Sequence, residues 1–177
     1  MKLLEAGKMA AQLIRLLEPC CEKIEIAGSI RRQKKEVKDI EIVVLPKDKI
    51  GGYAGREGER MLSKKLAFLE DKSRIRMIKN GEKYKQFMLT KRDGKELISV
   101  DLFIVTPPAQ WGVIYAIRTG PASFSKWLVS YRKPQGYKFK DGCLRNPIGE
   151  QIQTPTEEIL FKALGVCYTT VDKRKEY

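Results

Sequence analysis

Asp39-Ile40-Glu41-Ile42-Val43-Val44-Leu45 reads as a β-strand with two carboxylates at its head, an apolar run behind them and Pro46 as its stop. Side chains two apart on a strand point to one face, so Asp39 and Glu41 converge. Upstream, Ile24-Glu25-Ile26-Ala27 is short and β-like and is broken by Gly28-Ser29. Downstream, Asp101 heads another apolar run, Leu102-Phe103-Ile104-Val105. A third carboxylate from a neighbouring strand makes a cluster too negative to persist without a cation. Hard divalent ions bound through oxygen satisfy such clusters, and paired ions are the usual apparatus of phosphoryl transfer. The residues point to a metal-dependent nucleotidyltransferase.

Around this strand the pattern predicts an α+β chain. Leu3, Leu4, Met9, Leu13, Ile14, Leu16 and Leu17 recur at near-helical spacing, giving a helix over 2–17 that Pro19 ends. Gly51 to Gly55 reads as a flexible loop and Arg56 to Leu69 as a second helix. Strands follow at about 73–79, 83–90 and 96–105, with Asn80-Gly81 and Asp93-Gly94 as hairpin turns. That makes a mixed sheet of about five strands with flanking helices. After Pro107-Pro108, residues 109–118 and 122–132 look helical. Gly136 to Arg145 alternates around an Asp141-Gly142 turn. Thr154 is the expected cap of a last helix, with Pro155 at its first position and Glu157 closing the capping box. That helix ends at Gly165, and the charged tail from Asp172 to Tyr177 is expected to fray.

Composition narrows the partners. The 177 residues fit one compact domain or two small subdomains around a cleft. Thirty-five Lys and Arg against 22 Asp and Glu leave a net charge of +13, which calls for a polyanion. No apolar stretch approaches the ~20 residues of a spanning helix, and no signal peptide is visible, so nucleic acid in a cytoplasm (bacterial, phage or viral host) is favoured over a membrane. The chain has no histidine. Chemistry must therefore run on carboxylates, hydroxyls and cations. Cys20, Cys21, Cys143 and Cys167 lack metal-ligand spacing and read as buried free thiols. Trp111 and Trp127 read as core or subdomain interface.

Gly28 allows close backbone approach to a phosphate, Ser29 adds a donor, and Arg31 and Arg32 can neutralise a triphosphate. Taken in order, Ala27-Gly28-Ser29-Ile30-Arg31-Arg32, Asp39-Ile40-Glu41 and Val100-Asp101-Leu102 resemble the polymerase-beta-like nucleotidyltransferases, and specifically family X DNA polymerases. Ile117-Arg118-Thr119-Gly120-Pro121 is similar to that family's aromatic-aromatic-Thr-Gly element. Gly136 to Gly142 looks like its ensuing hairpin, and Glu157 to Gly165 with Tyr168 looks like its closing helix. The likeness covers about residues 24–172.

The resemblance implies a palm over about 1–105 and a smaller, helical C-terminal subdomain over 106–177 that grips nucleotide and template. It implies two Mg²⁺ ions (Mn²⁺ substituting) on Asp39, Glu41 and Asp101, which would be both metal-binding and catalytic. Gly28, Ser29, Arg32, Thr119 and Gly120 would bind the nucleotide. The expected reaction adds dNMP to a primer 3′-hydroxyl, in gap filling or repair, by a monomer using DNA and dNTPs. The chain begins almost at the palm, as in the minimal viral form of the family, so the N-terminal lyase activity is expected to be missing. Glu41 stands where better-known members have Asp. Ile117 and Arg118 replace an aromatic pair under the incoming sugar, weakening the exclusion of ribonucleotides. Ser125 and Val129 replace an Asn and an Arg that check the base pair, so low fidelity is expected. A cis peptide is expected at Gly120-Pro121.

DNA contacts would come from the surface: Lys34, Lys35 and Lys38, then Lys79, Lys83 and Lys85, and Lys126, Arg132 and Lys133. Six phosphate contacts imply an affinity loss on the order of a thousandfold between 50 and 200 mM salt. Two alternatives stay open. One is a template-independent terminal nucleotidyltransferase, and the other a non-catalytic nucleic-acid-binding protein.

Overall fold

The computed structural model describes residues 1–47, 57–91 and 93–177. The loop expected at Gly51 to Gly55 lies outside the described residues. The fold is α+β. One mixed sheet contains β1 (Cys21–Ile26), β2 (Asp39–Pro46), β3 (Ile75–Asn80), β4 (Tyr84–Thr90) and β5 (Glu96–Ile104) in the order β1-β2-β5-β4-β3. Only the central pair, β2 and β5, is parallel; the other neighbours are antiparallel.

Alternation decides the two faces of this sheet. Ile40, Ile42 and Val44 of β2, Val100, Leu102 and Ile104 of β5, and Phe87 of β4 form one buried surface. Against it pack α1 (Leu3–Leu17) and α3 (Glu57–Asp71). Their buried positions, Ala6, Ala10, Leu13 and Leu17 in the first and Gly58, Leu62, Leu66 and Leu69 in the second, follow the helical repeat. Fully burying each Leu is worth about 2 kcal/mol, so these stripes hold the helices down.

The opposite face carries the carboxylates at one end of its strands and Val43, Phe103 and Val105 at the other. The apolar end joins Ala27 and Trp111 in a second cluster. Trp111 opens α4 (Trp111–Thr119), and this helix roofs that part of the sheet. Beyond it lie α5 (Ala122–Ser130), a small sheet of β6 (Lys138–Lys140), β7 (Cys143–Arg145) and β8 (Gln151–Ile152), and α6 (Glu157–Ala163). Phe124, Leu128, Leu144, Leu160 and Phe161 form their own core. β8 has two residues, too few for an alternation to register.

Several expectations need correction. The cap of α6 is Thr156, whose hydroxyl accepts from the Ile159 amide at 3.3 Å; Thr154 is buried two residues earlier against Gln110. The tail does not fray. Lys173–Glu176 form a 3₁₀ turn, Arg174 is fully buried, and the Tyr177 ring packs 4.3 Å from that of Trp127. The Gly120-Pro121 bond is trans; the backbone at both residues is extended and leads into α5, with Pro121 as its cap. The cis bond is at Pro107-Pro108. Three cysteines are buried free thiols, but Cys167 is exposed. Among the described residues no helix is long and apolar enough to cross a membrane.

Candidate active site

The site lies at the junction of β1, a one-turn helix α2 (Gly28–Arg31), β2 and β5. Gly28 is obligatory on two counts. Its φ is +57°, and a Cβ there would sit 1.7 Å from Glu41 Oε2. The glycine thus lets a backbone turn lie directly against a carboxylate. One residue on, Ser29 Oγ is buried and has no hydrogen-bond partner. A buried hydroxyl left unpaired is unfavourable and marks a place where a ligand atom fits.

Parallel pairing of β2 and β5 sets Glu41 opposite Asp101 and Asp39 opposite Ser99. All three acids therefore share one face, as the strand period requires. Burial pushes the Glu41 carboxyl up to about 7, and the charges of Asp39 and Asp101 add to it while Arg32 and Arg118 oppose it. Asp39 is raised as well, by burial and then by Asp101. The acids feel one another, yet among the described residues no three of them are gathered tightly enough to hold an ion as they stand.

The two neighbouring arginines take different roads. Arg32 extends toward the cluster, its guanidinium donating to the carbonyls of Thr119 and of Gly120, the latter at 2.8 Å. Burial lowers its pKa while Glu41 and Asp39 counteract. With five N–H donors, an arginine held by two carbonyls keeps others for an anion. Arg31 does not face the cluster, against the expectation of a shared role. It makes a two-pronged pair with Glu157 (3.0 and 2.6 Å), donates to Thr119 Oγ1 at 2.5 Å, and stacks 3.8 Å over the Tyr115 ring. Thr119 and Gly120 are thereby fixed beside the carboxylates from two directions.

Two residues at the site carried no sequence signal of their own. Tyr84 donates from its hydroxyl to Asp101 Oδ1 at 2.7 Å, and burial, with that bond next, pushes the phenol up to about 12. Its place two residues before Gln86, which pairs with Asp101, is the register clue. Arg118, at one of the positions expected to lack a family aromatic, lies 4.0 Å over the Phe103 ring. Ser125 Oγ is turned back to the Ile117 carbonyl at 2.7 Å.

The expected DNA contacts divide. Lys83 and Lys126 are exposed. Lys85 is not: it is 6 % exposed, bonded to Asn80 Oδ1, and burial lowers its pKa. It alternates with Phe87 on the helix-covered side of the sheet, away from Asp101, so it is withdrawn as a contact to DNA at this site. No protein-family model matches the chain, and no curated protein matches it significantly in sequence.

Proposed function

We propose that the chain is a family X DNA polymerase with a nucleotidyltransferase palm, adding dNMP to a primer 3′-hydroxyl in gap filling or repair. The observation that carries this reading is the register that sets Glu41 beside Asp101, with Asp39 on the same face and Gly28 against Glu41. The donor set fits Mg²⁺: three carboxylates offer hard oxygens, and burial together with the charges of Asp39 and Asp101 raises the Glu41 carboxyl to about 7, a cost that a bound cation would relieve. Asp39, Glu41 and Asp101 would hold two ions. When bound, these supply charge neutralisation for the triphosphate and a lowered pKa for the attacking hydroxyl.

The chain's own residues bind and orient. Ser29 has the free hydroxyl to donate to a phosphate oxygen, and Arg32 has spare N–H groups beside the same carboxylates. Tyr84 donates to Asp101 and so helps to fix the rotamer of that acid. Exposed Lys83 and Lys126, with the net charge of +13, favour a nucleic acid over a small-molecule acceptor.

The test is extension of a labelled primer on a one-nucleotide gap with Mg²⁺ and each dNTP singly, beside Asp101→Ala. Addition opposite the matching template base, lost in the variant, is expected. Addition regardless of template would replace this reading with a terminal nucleotidyltransferase. DNA binding without any addition would leave a non-catalytic binder.

A further inference from the structure

A second feature lies on the other side of the sheet from the carboxylates and is independent of the proposed reaction. The C-terminal half of α1, the end of α3 and the strand ends at Ile75, Leu89 and Leu97 enclose an open groove of about 990 Å³. Its walls expose large apolar side chains: Phe68 is 53 % accessible and Leu16 43 %. Leaving both in water is unfavourable by roughly 1–2 kcal/mol each relative to burial, so the groove gains from being covered.

Charge selects what covers it. Arg15, Lys72, Arg74 and Lys91 stand around the groove, and among the described residues no Asp or Glu lines it. Among the described residues Lys72 pairs with one acid, its neighbour Asp71, at 3.6 Å between two exposed groups, while Arg15, Arg74 and Lys91 pair with none. The ammonium groups of Lys65 and Lys72 flank the Phe68 ring at 5.9 and 5.6 Å. A second copy of this chain would set cations on cations. A nucleic-acid duplex would satisfy the rim but keeps its base faces stacked inside and offers little to bury Leu16 and Phe68. A bilayer is flat where this surface is concave and lies between two helices.

We propose that this groove is a docking site for an acidic amphipathic helix of a partner protein, its apolar stripe seated on Leu16 and Phe68 and its carboxylates meeting the basic rim. Helices recognised in grooves present apolar residues at i, i+3, i+4 and i+7, and the net positive field of the chain speeds the approach of an acidic one. Because the groove and the carboxylates occupy opposite faces of the sheet, a partner docked here leaves the proposed active site open.

The probe is a fluorescein-labelled peptide of about 18 residues with Leu and Phe at those positions and Glu or Asp between them, titrated by anisotropy against the full chain. Saturable binding is expected, weakened at least about tenfold by Leu16→Glu and by Phe68→Glu, and absent for the same peptide with Lys for its acids. Both side chains are exposed, so the variants keep the parent circular dichroism and melt. Arg74→Glu tests the rim without touching the apolar floor and is expected to weaken binding about fivefold. The proposal fails if the peptide does not saturate, or if it binds all three variants like the parent. It also fails if Phe68→Glu weakens binding to duplex DNA or phosphatidylserine vesicles while the acidic peptide shows no affinity.

Discussion

Two carboxylate clusters in this molecule solve the problem of buried charge in opposite ways. Asp39, Glu41 and Asp101 are three acids with Arg32 as the nearest held cation, and burial together with mutual repulsion raises the first two. Glu157, only 4 % exposed, is one acid between two arginines: Arg31 at 2.6 Å and the fully buried Arg174 at 2.8 Å, with Tyr168 donating at 3.3 Å. Burial pushes Glu157 up, but the bonds from Arg31 and Arg174 win and hold it below the usual carboxylate range. The contrast separates roles. A cluster already satisfied by the chain is structure, whereas one left unsatisfied is waiting for something the chain does not supply.

The sharpest way to break that contrast is to remove an acid from each cluster. Asp101→Ala is expected to lower single-nucleotide addition at least about a thousandfold, on the order of 4 kcal/mol of barrier. Its urea midpoint should stay the same or rise, since a repelling charge has gone. Single-turnover extension and urea denaturation on one preparation measure both. Activity within tenfold of the parent would remove Asp101 from the chemistry and with it the functional half of the comparison.

Glu157→Gln should do the reverse. Without the carboxylate, Arg174 is left as a buried cation and Arg31 as a partly exposed one, and losing one partner of a buried pair costs about 3 kcal/mol. Because Arg31 belongs to α2 and Arg174 to the C-terminal turn, the loss should loosen Thr119 and Gly120 from the carboxylate strands as well. A urea midpoint unchanged by the substitution would show that the triad contributes little, and that packing around Trp111 and the Arg32 bonds to Thr119 and Gly120 join the two parts.

How far each cluster was legible in the sequence follows from what creates it. The three acids could be read because strand alternation and a glycine turn are local: Asp39, Glu41 and Gly28 fall within fourteen residues, and Asp101 repeats the pattern. The Glu157 triad could not. Which of Arg31 and Arg32 turns toward the phosphate side depends on a single turn of helix and on a residue 126 positions away. The capping pattern around Thr154 made Glu157 look like a helix-start acid, and the three cations of the last six residues resembled a solvated tail, although one of them is buried whole. Lys85 was different again. Its alternation with Phe87 carried the signal for burial, outweighed in reading by the cations beside it.

A smaller effect sharpens the unsatisfied side. The Glu41 carboxyl moves from 4.5 to about 7 on folding. Below about pH 4.5 both folded and unfolded chains hold this proton, and no penalty exists. Between 4.5 and about 7 the unfolded chain has released it and the fold has not, so the ion-free protein loses stability as pH rises; above about 7 the loss is complete. Mg²⁺ binds the ionised form without displacing a proton at pH 8 but must displace one at pH 6. At a hundredfold excess over Kd, about 2.7 kcal/mol of stabilisation is expected at pH 8 and less at pH 6, read as the Mg²⁺-induced rise in Tm. Equal rises at both pH values, or the same pattern in Glu41→Gln, would assign the ions to another place.

The finest distinction concerns Tyr84, which belongs to the unsatisfied cluster yet is itself satisfied. Its hydroxyl donates to Asp101 and its ring stacks on Phe103 at 5.3 Å, so Tyr84→Phe keeps the stack and deletes one hydrogen bond. For a partly exposed bond to a charged acceptor that is worth about 1 kcal/mol, or roughly fivefold. If the tyrosine positions Asp101, kcat falls about fivefold with KM for the dNTP unchanged, and the urea midpoint falls by no more than that one bond is worth. If it merely packs, the phenylalanine variant will match the parent throughout, and Asp101 will be held by its strand alone.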